Sequence, residues 1–545
     1  MEGLRSLEIG IRAIRAQREA LHTIGHNIAN VNTPGFSRQR AILTTTLPQG
    51  SMGTGVKVQM VQRIRHEVTD FYIRKETPTF NQWKAKFEIM QQVEVLFNEP
   101  SEAGISNTLG EFWDAWADLG NNPESGAARA NLREQARTLC EGLSSLYGTL
   151  KDLQANIDQQ VKSEVEFLNS LTQQIGNLNQ EIEKTELGGK EIANDLRDRR
   201  DYLIDGLSES INFTYREMDD NTIRISIFGQ LLVSKSKIAE LMTEGGESGY
   251  LDVRWKDSGE NVIMTDGKLK GLIDARDQII PEFLDSLDNL ASSLIEEVNY
   301  LHRRGMGLDG VREIVGWKDF AGVLDPDVDP GEVYGSFAIN GVEIELAAGD
   351  DLDAIIIKIN AEESNTGVTA SKEGDRLVLQ PYFDNPKTIS ITDDPDGIMR
   401  EDLGILADFF QGSGADDISL NDAIINDLNK IAASQSGAPG DNSNALAINQ
   451  LKGKLTVDEG TSTFGDYYSG IIGKLGVETR QSSHLKSNKE LLLTTLEDRR
   501  QSICGVSLDE ETTNIILFQQ AYRVAVAFLK TVNDMLDILT TSMGV

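Results

Sequence analysis

Apolar residues recur every seven positions at both ends of this chain. Heptads counted from Leu4 place Leu4, Leu7, Ile11, Ile14, Leu21 and Ile28 on seam positions, with Arg18 and Gly25 as interruptions. Near the other end, Ile515, Tyr522, Leu529 and Leu536 hold one seam position, and Phe518, Ala525, Val532 and Leu539 hold the other. An apolar seam with this repeat is how one helix pairs with another. The last helix has a marked start: Ser507 is placed as N-cap with Glu510 three residues on, and Asp509 and Glu511 suit the positive end of the helix dipole. The charges are complementary. Arg5, Arg12, Arg15, Arg18, Arg38 and Arg40 face only Glu2, Glu8 and Glu19 in the first 40 residues, whereas Asp509, Glu510, Glu511, Asp534 and Asp537 outnumber Arg523 and Lys530 after residue 500. The two ends are therefore expected to pack together. Their narrow seams bury little alone, so full order is expected only when further copies cover them. A closing helix pair inside one globular domain fits the same periodicity, while Glu8 and Glu19 argue against a membrane-surface helix.

The first helix is stopped by "NIANVNTPGFSRQ", residues 27–39. Pro34 disfavours helical geometry at Thr33, so the helix is expected to end by Asn32. Pro34 and Gly35 fit the central positions of a type II turn, with Gly35 taking the positive φ. Asn27, Asn30 and Asn32 are poor mid-helix residues that can satisfy backbone groups where a helix ends. Phe36 is placed to plug the turn onto an apolar surface. "QRAILTTTLP" and "GTGVKVQMVQRI" then alternate as strands, so the stretch reads as a sharp helix-to-ribbon corner.

This corner after an amphipathic helix resembles the N-terminal signature of the bacterial flagellar axial proteins, the rod, hook and hook-associated proteins. "GVSLDEETTNIILFQQAYRVAVAFLKTVNDMLDIL" is similar to the matching C-terminal end of the hook-associated members, with "LDEE…N…FQQAY" as its specific part. The resemblance implies a structural subunit at the junction of hook and filament, with its terminal helices forming a coiled-coil layer around a central channel. It further implies subunits disordered at their ends until assembly, exported unfolded by the flagellar type III apparatus. They would be cytoplasmic before export and extracellular afterwards. The implied partners are copies of the chain itself in a ring or helical lattice, the hook protein, the next hook-associated protein toward the filament, and an export chaperone bound at the C-terminal helix. The assembly interface would comprise the seam residues named above together with Asn27, Asn30, Asn32, Pro34, Gly35 and Phe36.

Between the ends the predicted fold class is multidomain and mainly α, with paired terminal coiled-coil helices, a long helical bundle and inserted β-rich domains. A length of 545 residues exceeds what one core supports. The expected organisation is an axial core domain of residues 1–62 plus 503–545, and a helical domain of 63–210, 265–305 and 413–502. A β-rich insertion covers 211–264, and an outer β-rich domain covers 306–412. "FWDAWADLGNNPESGAARANLREQARTL" reads helix, loop, helix, with Ser125 as an N-cap and Trp113 and Trp116 on one core face. The charge run of "ANDLRDRRDYLIDGLSESI" is expected to form a solvated helix face, with pairs such as Asp195 to Arg199. "FAINGVEIELAAGDDLDAIIIKINAEESNTGVTASKEGDRLVLQP" reads strand, turn, strand, helix, hairpin, and resembles the IN motif inserted in flagellin, cap and hook-associated proteins.

Nothing in the sequence singles out catalysis. A net charge of -34 disfavours nucleic acid as a partner. Cys140 and Cys504 cannot build a disulfide framework or a zinc site, and Cys504, near a helix start, is read as a spare small residue rather than a reactive thiol. His22 and His26 lie at i,i+4 without the glutamate of a zinc-protease motif. The acidic stretches "DPDVDPGE" and "DDPDGI" do not fit calcium-loop spacing and read as solvated loops. No cofactor, metal or enzymatic activity is expected. The first residues lack the apolar core of a cleaved signal, and no window reads as a membrane span, so membrane insertion is not expected. The alternatives are a hook or rod protein, which the long helical middle disfavours, and a secreted adhesin or enzyme whose outer domains carry the activity.

Overall fold

The computed structural model describes the chain except residues 1, 49–52, 189–191, 309–313, 317–318, 325–332, 383–388, 390, 393–397, 400–402, 404, 406–407, 437, 439 and 543–545. The chain opens with α1 (Glu2–Ala29), the ribbon β1 (Gln39–Thr45) and β2 (Val56–Arg63), then α2 (Glu67–Phe97), α3 (Ile105–Asn121), α4 (Gly126–Glu186) and α5 (Asn194–Ser210). Six short strands follow, β3 (Thr214–Glu217), β4 (Ile223–Ile227), β5 (Gln230–Ser234), β6 (Lys237–Ile238), β7 (Leu241–Gly245) and β8 (Leu251–Trp255), and then α6 (Lys268–Asp274) and α7 (Ile280–His302). The next stretch holds β9 (Ile314–Val315), β10 (Val333–Ile339), β11 (Val342–Ala347), α8 (Leu352–Ala361), α9 (Glu363–Thr366), β12 (Val368–Glu373), β13 (Arg376–Pro381), β14 (Ile391–Thr392), β15 (Phe410–Gln411) and β16 (Ser419–Leu420). The chain closes with α10 (Asp422–Asn426), α11 (Ser443–Asn449), α12 (Phe464–Cys504) and α13 (Leu508–Ser542). Contacts divide these elements into two compact units, Met1–Ile89 with Ala155–Arg276 and Arg480–Val545, and Met90–Gln154 with Asp277–Thr479.

In the first unit the β-ribbon pairs Gln39 with Arg63 through Thr45 with Val56, and a register shift falls between Ile42 and Leu43. The small sheets β3–β4–β5–β6 and β7–β8 are held to α4 by side-chain amides. Asn169 donates to the Leu241 carbonyl at 2.7 Å and accepts from the Leu241 N–H at 2.9 Å. Asn179 does the same with Ile223, at 2.9 and 3.0 Å. Each amide pairs both backbone groups of one residue, which a neighbouring strand would otherwise have to do.

The second unit has an aromatic core. Trp113 and Trp116 are buried as their helical spacing predicts, and Trp116 lies 5.2 Å from Phe409, with Phe112 5.7 Å from Phe410. Ser125 accepts from the Ala128 N–H at 3.3 Å and so caps α4. Fully buried Arg129 is satisfied by backbone, donating to the carbonyls of Pro123 and Ile431 at 2.8 and 2.7 Å. The segment from β10 to β13 runs strand, turn, strand, helix, hairpin around Phe337, Ile344, Ile355, Ile359 and Leu379. Its first turn is Asn340-Gly341, with φ of 52° and 79°, the two-residue hairpin that positive φ at both positions permits.

Candidate assembly interface

At the end of α1, Asn30 pairs a helix-end carbonyl as its position predicts, whereas Asn27 reaches the first strand. Buried Asn27 donates to the Gln39 carbonyl at 2.8 Å and accepts from the Gln39 N–H at 2.9 Å, so it pairs the first residue of β1. Asn30 donates to the His26 carbonyl at 3.0 Å and accepts from the Thr33 hydroxyl at 3.0 Å. The turn closes with Phe36 N–H donating to the Thr33 carbonyl at 3.2 Å, and Gly35 has φ +78°. A Cβ at Gly35 would lie 2.8 Å from the Tyr202 Cβ, so the site requires glycine for both conformation and space. Phe36 packs against the His26 ring at 5.4 Å, while Asn32 and Pro34 are exposed.

The corner is clamped by the charges of α5, whose sequence predicts a solvated face. Along α5, Asp198, Arg200 and Asp201 are 4%, 1% and 7% exposed, so the run is not a solvated face. Asp198 accepts from the Ser37 N–H at 2.9 Å and from Arg63 at 2.8 Å, and Arg63 also reaches Asp201 at 2.8 Å. Arg74 bridges Asp201 and Asp205 at 3.2 and 2.7 Å, and Arg500 adds to Asp205 at 2.8 Å. Asp195 meets His26 at 3.3 Å and accepts from the Gln39 side chain at 2.8 Å, in place of the expected partner Arg199. The reason is spacing: Asp198, Asp201 and Asp205 lie at i, i+3 and i+7 on one helical stripe, and distant arginines cover that stripe. Burial pushes the Asp201 carboxyl up, but Arg65, Arg74 and Arg63 outweigh it and hold the group well below the usual carboxylate range. At Asp198 burial wins over Arg63 and Ser37, and the carboxyl is raised.

Both terminal signatures meet at Arg38. Its Nε donates to Glu511 at 2.6 Å, its Nη1 reaches Glu510, and its N–H donates to the Cys504 carbonyl at 2.9 Å. Glu511 is 1% exposed, so the "LDEE" acids bind the corner in addition to facing the helix dipole. Ser507 accepts from the Glu510 N–H at 3.4 Å, as an N-cap does. Cys504 is the last residue of α12, close before α13 begins, and burial pushes its thiol up.

From the corner, α13 runs back along α1, and the pair is antiparallel. Gly10 admits Leu529 so closely that an added Cβ would sit 2.8 Å from its Cδ1. Ala525 and Val532 are buried, and Ile515, Phe518, Tyr522, Leu529 and Leu536 are half-buried, as are Leu7, Ile14, Leu21 and Ile28 on α1. Ile11 is exposed, and the side chains of Leu4 and Leu539 lie outside the described residues. Beyond the seam α13 stays apolar: Leu517, Val524, Met535 and Ile538 are 60%, 69%, 59% and 66% exposed. This corrects the expectation that no window reads as a membrane span: an 18-residue window within Phe464–Ile538 is long and apolar enough by composition, and 6% of it is buried. Two apolar faces on one helix produce that composition, where the heptad reading counted only one.

Elsewhere the chemistry stays ordinary. His22 is exposed, and the described residues contain no cluster of three or more metal-ligating side chains. "DPDVDPGE" lies outside the described residues, as does all of "DDPDGI" but Ile398.

Comparisons with known proteins agree with this arrangement. Residues 7–36 match the flagella basal body rod protein family and residues 501–542 the C-terminal family of the flagellar basal body rod proteins FlgEFG. Residues 90–314 match the flagellar hook-associated protein FlgK helical domain, and residues 332–380 the flagellin hook IN motif. Flagellar hook-associated protein 1 of Bacillus subtilis is 28% identical, with 99% of this chain and 98% of that protein covered. Its counterpart in Escherichia coli is 25% identical, with 96% and 97% covered. The flagellar hook junction protein FlgK from Burkholderia pseudomallei shares the fold, with a TM-score of 0.56 at 17% identity over 80% of this chain and 100% of that one. A chain whose two ends meet at such a corner, flanking these modules, is a structural component of the bacterial flagellum, assembled outside the cell among other axial components, and not an enzyme. Along nearly its whole length it is similar to flagellar hook-associated protein 1, and it is a structural subunit of the hook–filament junction.

Proposed function

We propose that this chain joins hook to filament through coiled-coil packing of its terminal helices in a ring or helical lattice of identical copies. The observation that carries the reading is the state of α13: one face rests on α1, and an opposite apolar face is open. Exposed apolar area of that extent is stabilised when other subunits cover it. The seam residues Leu4, Leu7, Ile11, Ile14, Leu21, Ile28, Ile515, Phe518, Tyr522, Leu529, Val532, Leu536 and Leu539 would set the helix pair. The corner from Asn27 to Phe36 would fix its angle to the ribbon. The hook protein and the next hook-associated protein would lie on either side, after type III export of the unfolded chain. Before export, the acidic and apolar α13 is the expected chaperone site, and truncating residues 505–545 should abolish chaperone binding. The domain organisation that fits this reading keeps the terminal core inward and the β-rich insertions outward.

The test is a clean deletion examined by electron microscopy, with flagellin assayed in the medium. Hooks of normal length without filaments, and flagellin in the medium, are expected. Intact motile filaments would overturn the reading, and missing hooks would move the protein inward to the rod or hook.

A further inference from the structure

The chain has 86 acidic residues against 52 basic ones, yet residues 36–66 contain no acid at all. The cations there are Arg38, Arg40, Lys57, Arg63 and Arg65. Arg38 is neutralised by Glu510 and Glu511, Arg63 by Asp198 and Asp201, and Arg65 by Asp70. Arg40 and Lys57 are exposed and form no ion pair among the described residues. Beside Lys57 an open groove of about 970 Å³ runs between α1 and β2. Ala16, Val58 and Met60 line its apolar part, and Arg15 and Lys57 its rim, with Glu19 as the acid among the lining residues. Arg15 is also exposed and forms no ion pair among the described residues, whereas Arg12 is occupied by Glu8 at 2.8 Å.

We infer that this groove receives the C-terminal third of α13 from a second copy of the chain. The inference rests on the assembly reading and names the contact through which copies join. That part of α13 presents Met535 and Ile538, 59% and 66% exposed, beside Asp534 and Asp537. Residues 534, 535 and 538 share one helical stripe, since i,i+3 and i,i+4 positions are neighbours. An apolar stripe edged with carboxylates complements an apolar groove edged with two unpaired cations, and such charge complementarity fixes register between subunits. Groove and stripe are different surfaces of the same chain, so the contact is heterologous. It propagates around a ring or helix instead of closing a dimer.

The experiment is a charge swap in a strain lacking its own copy, with secretion of each variant measured and filament-bearing hooks counted. Lys57→Glu and Asp534→Lys should each be secreted normally and lower the count about ten-fold, within the range that like charges across an interface impose. Combining them in one chain should restore the count. Lys57→Glu subunits that assemble like the wild type would overturn the groove, and a defect not rescued by Asp534→Lys would overturn α13 as its occupant. Neither result touches the assembly reading, which falls only if the deletion itself leaves filaments intact.

Discussion

Eight of the 17 residues of α5 are charged, yet Asp198, Arg200 and Asp201 are buried. In α13 the exposed positions include Ile516, Leu517, Val524, Phe528, Met535 and Ile538. The two helices invert the common relation between polarity and burial, for different reasons. The charges of α5 have partners within the chain, from β2, α2 and α12, so their desolvation is offset by hydrogen-bonded ion pairs. The apolar side chains of α13 named here have no such partners among the described residues, and on the proposed reading other copies cover them. That reading asks for both: a corner that is complete alone and a helix that is not.

The largest expected effect is on the incomplete side. Val524→Asp, at a position 69% exposed, should abolish incorporation into the junction while changing the melting free energy by no more than about 0.5 kcal/mol. Calorimetry of the purified chain and microscopy of complemented cells read the two quantities separately. Normal assembly of this variant would remove the distinction between the helices. Leu529→Asp, inside the intramolecular seam, should also block incorporation while leaving the body folded.

On the complete side, Asp201→Ala leaves Arg63 with Asp198 alone and Arg74 with Asp205 alone, and should cost about 3 kcal/mol of unfolding free energy, measured by urea titration. The pH dependence has a definite sign. Asp201 is depressed in the folded state, so its stabilisation is full above the unfolded carboxylate value of about 4 and is lost as pH falls through its folded value. Asp198 is raised and acts oppositely, binding a proton more readily when folded, so it partly offsets that loss. Acid should therefore loosen the unit around the corner more in the wild type than in Asp201→Ala. Equal acid sensitivity would show that Asp201 does not carry the clamp.

A smaller effect is expected at Gly35→Ala, about 1–2 kcal/mol, from the positive φ and the Tyr202 contact together. Tyr202→Ala in the same chain should recover the steric part and leave the conformational part. Failure of the second change to recover anything would place the whole cost in the backbone.

The corner was legible because its determinants are local. Pro34, Gly35 and the asparagines act within about a dozen residues of themselves, and turn chemistry is written at that range. The helical spacing of Trp113 and Trp116 and the Asn340-Gly341 hairpin were legible for the same reason. The clamp was not, because Asp198 meets Ser37 161 positions away and Arg38 meets Glu511 473 positions away. A charged i, i+3, i+7 stripe looks the same in water as under three arginines, and only the topology separates the cases. The second apolar face of α13 was present in the sequence at Leu517, Val524, Met535 and Ile538, but fitting one heptad seam discards the residues off that seam.

The smallest effect separates the two regions at the point where they join. Ser507 caps α13 through a 3.4 Å bond to the Glu510 N–H, and the same turn is held by Arg38 through Glu510 and Glu511. Ser507→Ala should cost about 0.5–1 kcal/mol, less than the 2 kcal/mol extreme known for caps, because the ion pair holds the turn independently. Global melting would hardly register it, since α13 contributes little burial in the single subunit. Amide exchange in the first turn of α13 is the sensitive measurement, as local opening there is uncoupled from the core. In combination with Glu511→Gln the loss should exceed the sum of the two single changes, because each alone leaves the other to hold the turn. Strict additivity would mean that cap and ion pair act on separate parts of the helix start, and that the corner does not set the direction in which α13 leaves.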